Sequence, residues 1–232
     1  MGFLQTSLPF PSIELGLGIA ESPGDVAVTL QILLLLTILS LAPAILILMT
    51  SFTRTVIVLS FIRNALGTNQ VPPNQVLIGL ALFLTFFIMA PSFGIVYSDA
   101  VLPYLEGELT LEEMWEVGIE PIRGFMLQHT REKDLEMFIA MRGDDRPQSP
   151  QDVSTLTLIP AFVVSELKTA FQLGFVIFIP FLVIDMVVAS TLMGMGMMML
   201  PPVMISLPFK ILLFVLVDGW HLVVRSLLIS FS

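Results

Sequence analysis

The chain has no cysteine. That excludes a disulfide, a thiolate zinc site and a cysteine nucleophile. Charge is also scarce, at 12% of 232 residues, where a soluble globular domain carries about 25%. No cluster of lysine and arginine forms a basic patch, so nucleic acid is not an expected partner. The zinc-helix pattern His-Glu-x-x-His, the Gly-x-Ser-x-Gly elbow and the phosphate-binding P-loop are all missing. Only two histidines occur, His129 and His221. Asp185 and Asp218 stand in apolar segments and permit an intramembrane aspartyl protease, but nothing else supports one. Enzyme signatures are therefore missing, and no cofactor is expected. No lysine or arginine precedes Arg54, and Pro9, Pro11 and Pro23 interrupt residues 1–25. The start thus lacks a signal-peptide pattern. A leader already removed is the favoured explanation, over insertion directed by the first apolar segment.

What the chain has in abundance is apolar length. Hydrophobic residues make up 56% and mean hydropathy is +0.93, which places the protein in or at a membrane. The net charge of −9 is unevenly spread, since residues 99–152 hold 13 of the 19 acidic residues. Four regions follow. Residues 1–25 read as an extended N-terminal arm. Residues 26–98 read as a first apolar helical hairpin, with spans near 26–52 and 75–97 bent at Pro43 and Pro91. Its Arg54–Arg63 loop is placed on the cytoplasmic side by its positive charge. Residues 99–152 form an acidic insert on the opposite, periplasmic face. Within it Thr110 and Glu113 fit a capping box, and an apolar stripe from Ile122 to Ile139 keeps helical spacing, imperfectly in its middle. Residues 153–232 form a second apolar hairpin.

The first arm of that second hairpin is too long to be simple. Val153 to Met193 would reach about 60 Å as one helix, against a bilayer core of about 30 Å. A broken, hairpin-like or partly extramembrane arrangement is expected. This arm and the next also carry Glu166, Lys168, Asp185, Lys210 and Asp218. Each ionised group at bilayer depth costs roughly 2.5–3.5 kcal/mol on insertion scales, so each needs a partner or a polar cavity. Glu166 and Lys168 point to different sides of a helix. Glu166 with Lys210 is the expected pair. Asp218, His221 and Arg225 share one helix face as a polar stripe. Buried pairs fixing helix or subunit register are favoured over a proton relay.

Between the two arms lies Met193-Gly194-Met195-Gly196-Met197-Met198-Met199, closed by Leu200-Pro201-Pro202. Gly194 and Gly196 weaken a helix and read as a hinge, with Pro201 and Pro202 as the stop. Methionine is unbranched and soft, so the cluster can fill and refill an irregular gap. Two plainer readings stand beside this: a packed or lipid-facing turn in a structural scaffold, and a thioether site for Cu(I) in a small-solute or metal transporter.

Several stretches taken in order carry a family resemblance. They are Met49-Thr50-Ser51-Phe52-Thr53-Arg54, Arg63-Asn64-Ala65-Leu66-Gly67-Thr68 and Gln128-His129-Thr130-Arg131-Glu132. Ser165-Glu166-Leu167-Lys168-Thr169-Ala170-Phe171-Gln172 and Phe178-Ile179-Pro180-Phe181-Leu182-Val183-Ile184-Asp185 follow. The Met stretch then leads to Leu207-Pro208-Phe209-Lys210 and Val217-Asp218-Gly219-Trp220. The series resembles the flagellar biosynthetic protein FliP family, whose SctR-like relatives serve virulence-type type III secretion. The likeness runs from about residue 26 onward. It implies an all-α fold of bent, membrane-associated helical hairpins, assembled into a ring or superhelical export gate of the bacterial inner membrane at the flagellar basal body. It also implies a pentameric homo-oligomer with FliQ and FliR as companions and unfolded export substrates as cargo. By position it makes Met197, Met198 and Met199 a methionine collar, and Glu166, Lys210 and Arg131 charged assembly or gating contacts; Lys168, Asp185 and Asp218 join them as buried charges or assembly contacts.

Overall fold

A computed structural model describes residues 23–68, 70–142, 147, 149–197 and 199–231. The described residues are all-helical, as expected, with no strand among them. They form α1 (Pro23–Met49), α2 (Phe52–Leu66), α3 (Asn74–Val96), α4 (Leu102–Leu105), α5 (Leu111–His129), α6 (Glu132–Arg142), α7 (Thr155–Gly194), α8 (Pro202–Leu216) and α9 (Gly219–Ile229). A π-helical turn, Tyr97–Val101, joins α3 to α4, and a 3-10 turn, Pro150–Asp152, precedes α7.

The chain divides into two units, whose described residues lie within 23–42 and 43–231. Most of the expected N-terminal arm, residues 1–22, lies outside the described residues. Its last three residues, Pro23 to Asp25, are already helical in α1. In this unit the Thr37 hydroxyl donates to the Leu33 carbonyl at 2.7 Å, one helical turn back.

The second unit carries the features that matter for function. The bend of its first helical stretch falls at Thr50–Ser51, where the chain turns by 80° before α2. The Thr50 hydroxyl donates to the Leu46 carbonyl and the Thr53 hydroxyl to the Ile47 carbonyl at 2.6 Å. Such back-bonding satisfies carbonyls that a helix end leaves open. The Arg54–Arg63 segment is therefore not a loop. It is the body of α2, and Arg54 is buried in it. Periodicity explains the difference: Val58, Leu59, Ile62, Ala65 and Leu66 make one apolar stripe, and burying it drives the segment into a helix.

That stripe packs against α3 through Leu77, Ala81 and Leu84, and against α7 through Ala170. Each large side chain so buried contributes about 1.5–3 kcal/mol. The approach of α2 to α7 is close at Gly174, where a Cβ would stand 2.5 Å from the Phe61 ring. A second cluster joins Met49 and Met89 to Phe125, Met126, Leu158 and Phe162.

In the acidic insert, Thr110 and Glu113 form the expected capping box: the Glu113 amide donates to Thr110 Oγ1 at 3.3 Å and the Thr110 amide to Glu113 Oε2 at 2.8 Å. The flaw in the apolar stripe is a real break, for α5 ends at His129 and α6 starts at Glu132. Buried Arg123 donates to the Gln151 and Val153 carbonyls, each at 2.8 Å, and so fastens the start of α7 to α5.

The expectation of a broken third segment is overturned. α7 is a single helix of 40 residues that runs through Pro160 and Pro180. Each proline removes one backbone bond, but packing on α2, α5 and α6 spans the first, and the hydrogen-bonded run resumes beyond the second. Among the described residues two helical stretches are long and apolar enough to cross a membrane, Asn74–Leu105 and Thr155–Gly194, and up to four if each of the two bent pairs, Pro43–Met49 with Phe52–Leu66 and Pro202–Leu216 with Gly219–Ile229, is one span. α8 turns back along α7, and α9 follows after a bend of 64°.

Candidate functional site

The methionine turn begins where α7 stops. The Met197 amide donates to the Leu192 carbonyl at 2.9 Å and the Gly196 amide to the Met193 carbonyl at 3.0 Å. With Gly196 at φ +75, these two bonds make a Schellman stop, which glycine serves because it has no Cβ to clash in the left-handed region. Gly194 is still helical, as the last residue of α7. Pro201 and Pro202 do not stop α7; they cap and open α8. Proline suits that first position because its missing N–H would have had no partner there.

Met197 is 45% exposed and Met199 is 98% exposed. Met198 lies outside the described residues. No charged residue occurs from Met186 to Phe209. Beside the turn, α7 and α8 border an open apolar groove of about 490 Å³, lined by Val187, Thr191, Leu192, Met195, Ile205 and Phe209 among others. The turn thus presents thioether side chains outward, away from its own core.

Three ion pairs stand behind this turn, and they are not the expected ones. Glu166 does not meet Lys210. An antiparallel hairpin brings together residues equally far from its turn. Glu166 lies about 42 Å back along α7 from Gly194, whereas Lys210 is only about 12 Å into α8. At that distance Lys210 meets Asp185, with Nζ 2.6 Å from Oδ2. The same ammonium donates to the Ala65 carbonyl at 3.1 Å, in the last turn of α2, where the helix dipole favours a cation. Ser206 Oγ donates to Asp185 Oδ1 at 2.5 Å.

Glu166 pairs instead with Arg54. Nε donates to Oε2 at 3.0 Å, and Nη2 engages Oε1 to complete a two-pronged contact. Both side chains are buried, Glu166 completely. Lys168 pairs with Asp134 of α6, so the insert is tied to α7 as well. Asp134 also accepts from Ser165 Oγ at 3.0 Å. The Lys168 hydrogen bond, with help from Ser165, holds the Asp134 carboxyl below the ordinary carboxylate range, against its burial. Arg131 reaches α7 too, donating to Thr169 Oγ1 at 3.0 Å and Gln172 Oε1 at 2.6 Å.

Not all the expected buried charges are buried. Lys168 and Arg131 lie half-open at the junction of α6 and α7, because the insert covers only one side of the helix. Asp218 is exposed and precedes α9 in the left-handed region, at φ 52 and ψ 55. It therefore falls outside the helix that carries His221 and Arg225, and the polar stripe drawn through all three does not form. Among the described residues no three of His, Asp and Glu converge to hold a metal ion. The residues missed by sequence reasoning are Arg54, Asp134, Ser165 and Ser206. The lack of any other acid near Arg54 along the chain was the available hint that its partner is distant.

Taken together these features define a class: an all-helical membrane protein whose apolar hairpins are fastened by a few ion pairs and end in an uncharged, outward-facing turn. Comparison with known sequences narrows it. The FliP family profile matches residues 35–227. The chain is 62% identical over 212 residues to flagellar biosynthetic protein FliP of Bacillus subtilis, covering 91% of this chain and 96% of that one. It is 58% identical over 203 residues to the protein of that name from Pectobacterium carotovorum, covering 88% and 79%. With the Aquifex aeolicus protein of that name it shares 50% identity over 233 residues, covering 100% and 95%. The chain belongs to the FliP family.

Proposed function

We propose that this chain is a pore-forming subunit of the flagellar type III protein export gate, in which Met197, Met198 and Met199 form a soft collar. Repeated around a homo-oligomeric ring, pentameric by the family resemblance, the collar seals against ions at rest and parts around an unfolded polypeptide. FliQ and FliR are the companion subunits. The assembly sits in the inner membrane with the acidic insert on the periplasmic side. The carrying observation is the uncharged turn, in which Met199 is 98% exposed. Thioethers suit the task because their three rotatable bonds adapt to cargo of varied shape, where β-branched side chains are stiff at χ1. The ion pairs serve assembly: they fix the hairpin that delivers the turn.

The test is leak. Replacing Met197, Met198 and Met199 together by alanine leaves the ring assembled and its melting temperature unchanged, while small ions cross the membrane. A barrier that stays tight in that variant removes the collar and leaves a scaffold.

A further inference from the structure

The end of α9 is held by groups to which the collar gives no task. Arg54 Nη1 donates to the Ser230 carbonyl at 2.7 Å and to Ser230 Oγ at 3.0 Å. Its guanidinium carbon lies 3.7 Å from the centroid of the Phe231 ring, a cation–π contact. Phe231 stacks on Phe125 of α5 with centroids 6.0 Å apart and planes 21° apart. His129, the last residue of α5, completes the seat, with its ring 5.2 Å from Phe231 and 4.5 Å from Phe125. One arginine thus holds two things at once: Glu166 in the core and Ser230–Phe231 at its edge.

We infer that Ser230–Phe231 is a detachable clasp on the Arg54–Glu166 pair, and that protonation of His129 releases it. The inference rests on the geometry of this seat and stands whether or not the collar does. His129 Nδ1 is 2.8 Å from the Phe125 carbonyl, so the neutral ring donates there and leaves Nε2 with a lone pair. A proton on Nε2 adds a second positive charge in a seat already occupied by Arg54. The charged group facing the ring is Arg54 of α2, whose other prongs are bonded to Glu166 of α7. Arg131 and Asp134, in the following turn, are engaged by Thr169 and Gln172 and by Ser165 and Lys168. Arg225 of α9 is exposed.

Burial pushes the His129 imidazole below the usual histidine range, and Arg54 adds to that; the Phe125 and Phe231 carbonyls push the other way. The sign follows. With the clasp closed the ring resists a proton; with it open the ring meets water and titrates near its ordinary value of about 6.5. Closure is therefore favoured above that value and weakens as pH falls through it toward the lowered one. Opening frees only Nη1 of Arg54 and leaves its two bonds to Glu166, so the α2–α7 core keeps its fold while the end of α9 swings away from α5 and α6.

Because the chain has no cysteine, two introduced thiols are the only labelling sites. Lys133→Cys on α6 and Ser226→Cys on α9 are both exposed positions. Spin labels there report the α6–α9 distance in the detergent-extracted full-length protein. Between pH values of about 8 and about 5, which bracket histidine titration, a longer-distance population rises severalfold. In His129→Gln and in His129→Phe that rise is lost. In Phe231→Ala the longer population is present throughout, with helix content by circular dichroism unchanged. A distribution that ignores pH in the otherwise unaltered protein overturns the inference. So does a histidine-free variant, folded by circular dichroism, that still responds.

Discussion

Between Ser165 and Gly174, α7 is held by Arg54 through Glu166, by Asp134 through Lys168, by Arg131 through Thr169 and Gln172, and by the Phe61 ring laid over Gly174. Between Phe181 and Gly194 the same helix carries one ion pair, Asp185 to Lys210. There it otherwise turns Val183, Met186, Val187 and Met193 outward. The first stretch has its polar needs met inside the chain. The second is apolar and open, a surface left for whatever surrounds it. One uninterrupted helix thus joins a heavily fastened end to a lightly fastened one. The lesson is that its ionised residues mark where it is anchored rather than where it meets cargo.

The sharpest way to break that comparison is at Arg54 and Glu166. Removing one partner strands a buried charge and costs about 3–5 kcal/mol. Glu166→Leu should lower the melting temperature of the detergent-extracted protein more than any change at the methionine turn, and Arg54→Met should do likewise. The double variant, with both charges gone, should recover most of the loss. Failure of the pair to recover would mean that Arg54 is held chiefly by Ser230 and Phe231. Next in size is Gly174→Ala. Its Cβ would press on the Phe61 ring, and overpacking costs about 1–3 kcal/mol. Phe61→Leu in the same chain should restore stability; alanine tolerated without loss would show that α2 and α7 have room to part.

The smallest effect is at Lys168. Its side chain is 52% exposed, so solvent screening leaves the pair below about 1 kcal/mol. Its pH dependence is the better measurement. Asp134 is held below its ordinary value, so its stabilisation is present above the usual carboxylate range and is lost as pH falls through the lowered value. The melting-temperature gap between the unaltered protein and Lys168→Met should hold near neutrality and close in acid. A gap that widens in acid would assign the stabilisation to another group.

How far this was readable from sequence differs between the same two stretches. At the open end almost everything was local: the run of methionines, the glycine pair, the two prolines and the absence of charge are neighbours in the chain. Even there the roles shifted, because a glycine that stops a helix and a proline that starts one look alike as interruptions. At the fastened end the residue types were visible but the partners were not. Arg54 and Glu166 are separated by 112 positions, and no periodicity carries information over that distance. The pairing of Lys210 with Asp185 was within reach, since counting outward from the turn in both directions gives the register. The continuity of α7 was not, because a proline that breaks a solitary helix is tolerated where neighbouring helices hold both sides.

Pro180 gives α7 a mechanical property. Its missing N–H weakens the rod at one level, about 21 Å short of Gly194. Below that level the helix is clamped; above it the remaining turns form a lever arm. A swing of about ten degrees at this joint would carry the tip sideways by about 4 Å over that length, comparable to the reach of a single thioether. Lys210 is the tether on that swing, because its ammonium grips Asp185 on the moving arm and the Ala65 carbonyl on the fixed one.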